Sequence, residues 1–428
     1  MQTFESAFPK DFRKNDIEQI LRFVLTGKFC QLICLPGGGK ATLLKLLAEN
    51  ENVRKFHLGA KVKSTRFVYL NLHELPNFDQ PSIDEFLLHS LDRKAKHSND
   101  PFTLAKQLNE TVSKAAQNLT LVLLFDHFDE FTNKLSRSFF QTLRSAKNNA
   151  RYKFACVFAT RRDLRELIDP EILKEFYDFF VDNTVYMKLY DQKAIDFLFS
   201  QIKRVLGQTL SPKQQNDLIA LTSGHTKLTK VSAETILQEN IPIEKAVLLG
   251  KPIIRAALFE LWLFLTAQEQ KVLSSLAQKK PIEKSDAVEN LLHFDLLRQP
   301  RQSQQPSNLK FTIPLFEEFV QVTIPKITKH NISYNPNTRE ITKGDETISD
   351  LLSPQENRLL MFLIENQGRI IEREEIIHAV WPEAQVAEGI SDEAIDQMIF
   401  RLRKKIEDEP NNPSHIETVK GRGFRFQA

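Results

Sequence analysis

The residues with the clearest chemical potential lie in Leu35-Pro36-Gly37-Gly38-Gly39-Lys40-Ala41-Thr42. Three glycines let backbone N–H groups turn inward around an anion. A helix starting at the lysine adds positive potential, and the ammonium reaches the β/γ oxygens of a nucleotide. Against the pattern G-x-x-x-x-G-K-(S or T), Cys34 replaces the first glycine and Ala41 the hydroxyl that ligates Mg²⁺, with Thr42 one residue late. A glycine-rich turn without a ligand is the alternative reading. Asp126 follows a run of apolar residues, where a nucleotide-binding sheet presents a carboxylate to Mg²⁺. Arg161 lies where a cation would meet a γ-phosphate, or is solvated surface charge. A second set stands near the C-terminus: Gln397, Met398, Arg401, Arg403, Lys404 and Lys405 within nine residues, then Lys420, Arg422 and Arg425 around two glycines. Such residues can meet the phosphates and base edges of double-stranded DNA.

These residues need elements to hold them. Cys30–Cys34 reads as a compact apolar strand that enters the glycine loop, and an apolar helix runs on through Leu47. Leu119–Phe125 and Phe154–Ala159 are continuous apolar runs, as buried parallel strands should be, and they deliver Asp126 and Arg161 to their C-terminal ends. From Asp191 to Leu249 apolar residues recur at helical spacing, and Lys251-Pro252 marks a boundary. Thr266 to Glu269 and Ser353 to Glu356 share one grammar, a hydroxyl N-cap with glutamate at N3, ahead of leucines at helix spacing. Two related modules in series would explain the echo, although capping boxes open many helices. Leu309–Ile313, after the polar Arg301–Ser307 turn, is a candidate wing.

Toward the C-terminus, Ile332–Tyr334, Arg339–Thr342 and Glu346–Ile348 are short strand candidates separated by turns. Helices are expected over Pro354–Glu365, Glu372–Val380 and Ser391–Ile406. In the last, Ile395, Ile399, Leu402 and Ile406 form the buried stripe, and the other faces present Gln397, Met398, Phe400 and the cations. Ile416–Val419 and Phe424–Phe426 flank Lys420-Gly421-Arg422-Gly423, a cationic hairpin tip.

A chain of 428 residues with 41% hydrophobic content holds several cores. No apolar run approaches the roughly 18–20 residues that cross a bilayer, and the N-terminus carries no basic-then-apolar leader pattern, so a cytoplasmic protein without a membrane partner is expected. Cys30, Cys34 and Cys156 form neither a disulfide set nor a metal spacing and read as reduced core thiols. The net charge of +3 is unevenly spread: Thr328–Ala428 carries 13 Lys+Arg against 18 Asp+Glu. A DNA-binding role there requires that its cations be gathered on one surface, as Arg401–Lys405 and Lys420–Arg425 are in sequence.

Arg13, the glycine loop with Lys40, Asp126, Thr160-Arg161-Arg162 and Leu221-Thr222-Ser223-Gly224-His225 resemble the successive motifs of STAND and AAA+ signalling ATPases, close to the origin-recognition branch. The resemblance implies that Gly37, Gly38, Gly39, Lys40, Ala41, Thr42, Asp126, Arg161 and His225 hold ATP or ADP, with Asp126 on any Mg²⁺. In that family a glutamate follows the strand aspartate and polarises the attacking water. His127 stands there, and with Ala41 this implies binding with little or no hydrolysis. The family's lid proline is Thr226 here.

Residues 328–428 resemble the effector domain of OmpR/PhoB-type response regulators. The shared landmarks are Ser353-Pro354-Gln355-Glu356, Asn366-Gln367-Gly368-Arg369, Val380-Trp381, Arg401-Leu402-Arg403-Lys404-Lys405-Ile406 and Thr418–Phe426. That resemblance implies a winged helix whose Ser391–Ile406 helix enters the major groove while Arg425 reaches the minor groove. Glu393, where relatives often carry a base, and Phe400 and Met398 alter the face that reads sequence. A winged helix turned to protein contact is the competing reading. The combined expectation is a multidomain α/β and α+β chain: a P-loop parallel-sheet ATPase domain at 1–190, a helical lid at 191–250, an inner winged helix at 251–327 and the C-terminal winged helix at 328–428. Its expected role is transcription regulation in a one-component signalling chain, with a nucleotide as switch or the ATPase fold as scaffold, and with homo-oligomerisation as part of the switch. A STAND-type signalling or defence ATPase is the alternative.

Overall fold

A computed structural model describes residues 7–75, 77, 79–95, 98, 100–174, 176–299, 309–324, 332–335, 338, 340–344, 346–381, 391–407, 410 and 413–427. The Arg301–Ser307 turn, the Lys326–Thr328 boundary region and Arg339 at the start of an expected strand lie outside them. The chain divides into two compact units, Met1–Glu318 and Phe319–Ala428.

The first unit is built on five parallel strands, β1 (Cys30–Ile33), β2 (Thr65–Asn71), β3 (Thr120–Asp126), β4 (Phe154–Thr160) and β5 (Thr184–Tyr186), in the order β2-β3-β4-β1-β5. Strand β1 leads into the glycine loop and the helix Lys40–Glu49. β1, β3 and β4 are buried almost throughout, which is why they read as uninterrupted apolar runs. β2 and β5 were not legible in that way. In β2 exposed Arg66 and half-buried Tyr69 and Asn71 interrupt the apolar pattern, and β5 has three residues. Helices on both faces seal a core rich in phenylalanine: Phe125 stacks on Phe158 at 5.1 Å, and Phe128 and Phe139 pack around them.

Helices Gln192–Leu206, Pro212–Thr222, Thr226–Glu239 and Lys245–Leu249 follow. Then come Pro252–Phe264, Ala267–Ala277 and Asp286–His293, and an antiparallel pair, β6 (Leu297–Arg298) and β7 (Lys310–Phe311). The expected capping box forms: the Thr266 hydroxyl accepts from the Glu269 N–H at 3.3 Å, and the Glu269 carboxylate accepts from the Thr266 N–H at 2.9 Å.

The second unit contains an antiparallel sheet of β8 (Ile332–Asn335), β9 (Glu340–Lys343) and β10 (Glu346–Thr347), ordered β10-β9-β8. Helix Pro354–Glu365 opens with the second capping box, Ser353 with Glu356. β11 (Ile370–Ile371), helices Arg373–Val380 and Asp392–Ile406, and the hairpin of β12 (Ile416–Val419) and β13 (Gly423–Phe426) complete it, with sheet order β11-β13-β12. One core joins Leu359, Leu360, Ile376, Ile399, Leu402, Phe424 and Phe426. This is a winged helix.

Candidate functional site

The glycine loop is held from behind by its own chemistry. The Gly38 N–H donates to the Leu35 carbonyl at 3.0 Å, and a Cβ at Gly38 would stand 2.4 Å from Cys34 Sγ. Burial pushes the Cys34 thiol up to about 11, so it packs as an inert apolar group. Its neighbour across the loop is helix Thr226–Glu239. The Lys227 N–H donates to the Gly37 carbonyl at 3.1 Å, and Thr226 Oγ1 donates to the Gly38 carbonyl at 3.3 Å. Gly37 has φ +72°, and a Cβ there would meet Lys227 Cβ at 2.6 Å, so only glycine admits this approach.

His225 caps that helix and is 1% exposed. Its Nδ1 accepts from the Leu228 N–H at 3.2 Å while Nε2 faces the Pro36 carbonyl at 2.8 Å. The acceptor at one nitrogen and the carbonyl at the other fix the Nε2–H tautomer. Burial drives its pKa down to about 4, against the opposing pull of the Pro36 carbonyl. With both nitrogens spent, His225 acts on a ligand only through the loop it holds. Arg13, 2% exposed, completes this joint, donating to the Lys188 carbonyl, to the Gly38 carbonyl at 3.4 Å and to Thr226 Oγ1 at 3.4 Å.

Opposite the loop, the structure redistributes the expected roles. Asp126 is fully buried: one oxygen accepts from the Tyr69 hydroxyl at 2.7 Å and the other from the His127 N–H at 2.9 Å. The carboxylate that meets Lys40 is instead Asp129, at 3.0 Å, and its second oxygen takes Arg161 Nε at 2.5 Å. Burial alone would raise the Asp129 carboxyl, but the Lys40 ammonium and the Arg161 guanidinium hold it below the ordinary carboxylate range. Phe128–Glu130 forms a 3-10 turn after β3, and this turn brings Asp129 back toward the loop. Nucleotide phosphates fit Gly37–Lys40, where a glycine loop, a helix start and a lysine coincide. The P-loop arrangement for Mg²⁺ fits poorly: Ala41 has no hydroxyl, and Asp126 is engaged by Tyr69 and its own turn.

Arg162, next to Arg161, points elsewhere. It makes a two-pronged pair with Glu269, at 2.7 and 2.5 Å, and donates to the Phe264 carbonyl at 2.9 Å, its guanidinium lying over the Phe264 and Phe294 rings. Glu269 is the capping-box glutamate of helix Ala267–Ala277. Adjacent residues at the end of β4 thus grip the loop's lysine partner and the start of helix Ala267–Ala277. The pairings of Asp129 with Lys40 and of Glu269 with Arg162 escaped sequence reasoning because nothing in their spacing links them.

The C-terminal unit carries the other expected set. Gln397, Arg401, Lys404 and Lys405 on helix Asp392–Ile406 are exposed, as are Lys420 and Arg422 at the hairpin tip, while Arg425 is half-buried. Met398 corrects the expectation: it is 2% exposed and packs in the core, because Ile395, Met398, Ile399 and Leu402 lie on one face of the helix. Arg403 is also redirected. It donates to the Ile416 carbonyl at 3.0 Å and to Thr418 Oγ1 at 2.8 Å, so it fastens the helix to the hairpin. Lys405 pairs with Glu356 at 2.6 Å, Arg425 with Glu417 at 2.6 Å, and Lys404 lies 4.7 Å from the centre of the Phe400 ring. The N-terminal half of the helix is acidic and tied down, with Asp396 taking Arg373 at 2.8 Å. Cations therefore gather at its C-terminal half and at the hairpin.

Comparison with known proteins agrees with this division. Residues 350–426 match the family "Transcriptional regulatory protein, C terminal", and residues 24–168 match the family "AAA domain". The transcriptional regulatory protein AfsQ1 of Streptomyces coelicolor is 34% identical over 86 residues, which cover 20% of this chain and 36% of that one. The chain spans about a third of the length of the curated relatives it matches. Among solved structures, the Walker-type ATPase of Pyrococcus abyssi covers 74% of this chain and 96% of its own at 13% identity and a TM-score of 0.47. The ADP form of an origin-recognition protein of Aeropyrum pernix covers 73% and 91% at 12% identity and a TM-score of 0.38. Among the described residues no helix is long and apolar enough to cross a membrane.

Proposed function

We propose that this chain is a DNA-binding transcription regulator of the one-component kind, in which an adenine nucleotide on the glycine loop sets whether its winged helix engages DNA. The observation that carries the reading is the divided arginine pair. Arg161 shares Asp129 with Lys40, and Arg162 holds Glu269 in the next module. A phosphate that draws Lys40 away from Asp129 leaves that carboxylate to Arg161, so the pairing at the end of β4, next to Arg162, differs with and without the ligand. Such a ligand has different affinity for two arrangements, which is the requirement for a switch. Homo-oligomerisation is the route by which the first unit would govern DNA binding, since two linked winged helices bind two half-sites together. Ala41 and His127, in place of a metal-ligating hydroxyl and a carboxylate base, support binding with little or no hydrolysis. The domain limits at 190, 250 and 327 and a cytoplasmic setting belong to the same reading.

On DNA, Arg401, Lys404, Lys420 and Arg422 meet phosphates and Gln397 faces base edges, with Arg425 joining once released from Glu417. Affinity for DNA selected from random sequence, measured with and without ATP, tests the proposal. Nucleotide should change it severalfold in the wild type and leave Lys40→Ala unmoved. If the protein binds no nucleotide and Lys40→Ala keeps wild-type DNA affinity, the switch is wrong and the ATPase fold is a scaffold. The Phe400 ring, 43% exposed on the same helix, favours a second reading, a STAND-type signalling ATPase whose winged helix contacts protein. A response to salt that is flat rather than steep would select it.

A further inference from the structure

We propose a second ligand site, for a divalent transition ion of the zinc class, formed by His73, His127 and Glu130 at the C-terminal edge of the parallel sheet. The three residues come from three local elements. His73 lies in the 3-10 turn Leu72–Glu74 after β2, His127 follows β3 directly, and Glu130 closes the turn Phe128–Glu130. Parallel pairing in register, Asn71 beside Asp126, brings the two strand ends together. His73 Nε2 lies 2.7 Å from Glu130 Oε2, the two imidazoles stack at 3.9 Å, and one donor atom from each residue falls within 4.8 Å of the others.

Two features point to a metal rather than to a stacked pair alone. His127 Nδ1 is buried with no hydrogen-bond partner, 3.5 Å from Asp126 Oδ2. A proton on that nitrogen would face the carboxylate and leave the Nε2 lone pair for an ion, the carboxylate–histidine–metal arrangement common around zinc. Asp126 is itself fixed by Tyr69, so the arrangement has an anchored outer carboxylate. His127 also holds a left-handed backbone conformation, φ 58°, which turns its side chain out of the strand's alternation. Two imidazoles and one carboxylate are a donor set for zinc, and imidazole is a poor ligand for Mg²⁺. Tetrahedral zinc with bonds of about 2.0–2.1 Å puts donors about 3.3 Å apart. Rotamer adjustments of His73 and Glu130, both more than a third exposed, can supply that closure. A fourth position would remain for water. Because Glu130 is adjacent to Asp129, an ion here would fix the turn that carries the partner of Lys40. The site does not depend on nucleotide binding.

Metal-free full-length protein titrated with Zn²⁺ against a chromophoric chelator should take up one tight equivalent, and Co²⁺ in its place should give the intense visible bands of a four-coordinate site. His73→Ala, His127→Ala and Glu130→Ala should each weaken binding at least tenfold, while His378→Ala, in the other unit, should not. No saturable equivalent, or affinity within about twofold of wild type in His73→Ala and Glu130→Ala, would overturn the proposal. Those two substitutions fall on exposed side chains, and equal thermal unfolding without metal verifies their fold. They decide the matter even where His127→Ala does not fold.

Discussion

Glu417→Gln should make this protein bind DNA more tightly. Arg425, on β13, donates to Glu417 across the hairpin through Nε at 3.1 Å and Nη2 at 2.6 Å. A guanidinium that enters the minor groove must first leave this carboxylate. The two side chains are 35% and 50% exposed, so solvent screens the pair, and its worth is about 0.2–1 kcal/mol. Removing the carboxylate returns that energy to the complex, a gain of about 1.4- to 5-fold in affinity. Fluorescence anisotropy on a selected duplex reads it directly. A cycle separates the mechanism from general repulsion between Glu417 and phosphate. In an Arg425→Ala background, already weaker and with a salt slope lower by about one, Glu417→Gln should change little. A full gain in that background, or weaker binding by Glu417→Gln alone, refutes the gating of Arg425 by Glu417.

Other expectations follow from buried groups. Arg162→Leu leaves Glu269, whose side chain is 1% exposed, without its cation, and should cost about 3–5 kcal/mol in the first unit. Urea unfolding followed by Trp262 in a Trp381→Phe background isolates that unit. His225 takes a proton near pH 6.5 when unfolded but near 4 when folded, so in that window the unfolded chain binds more protons. Stability is complete above pH 6.5 and declines as pH falls toward 4, by about 3 kcal/mol in all. His225→Gln should flatten this part of the profile in parallel denaturant titrations. Gly423 has φ +122° and a Cβ there would sit 2.0 Å from the Ile371 carbonyl oxygen, so Gly423→Ala should destabilise the C-terminal unit by more than about 2 kcal/mol, read by Trp381 fluorescence.

The buried strands and the glycine loop were legible because they obey single rules: continuous apolar residues for β1, β3 and β4, and glycines ahead of a lysine. The helices of the C-terminal unit were legible through caps, and their starts agree, with Glu372 and Ser391 serving as N-caps. Side-chain assignments failed where tertiary partners decide. Met398 was placed outside the stripe of Ile395, Ile399 and Leu402, yet the buried face of a helix spans more than 100° and includes it. Arg403 looked like its neighbours, and only the position of the Ile416 carbonyl withdraws it from the surface. Asp129 was hidden because a one-turn 3-10 helix, invisible to periodicity, reverses the chain after Asp126.

The two capping boxes show how one local signal can serve two assemblies. In each, the N3 glutamate bonds its N-cap N–H, and in each it is buried: Glu269 is 0% exposed and Glu356 3%. One backbone N–H bond does not offset the desolvation of a carboxylate, so each glutamate demands a cation. Burial alone would raise both carboxyls; Arg162 holds that of Glu269 below the ordinary range and Lys405 that of Glu356. The cations come from different places. In the C-terminal unit Lys405 lies on the helix expected to enter the groove, so the box fixes that helix against helix Pro354–Glu365. In the first unit Arg162 comes from the end of β4, so the same box fixes helix Ala267–Ala277 against the parallel sheet. The shared sequence grammar specifies a helix start with an unmet charge, and the element that supplies the cation determines what the module is built to follow.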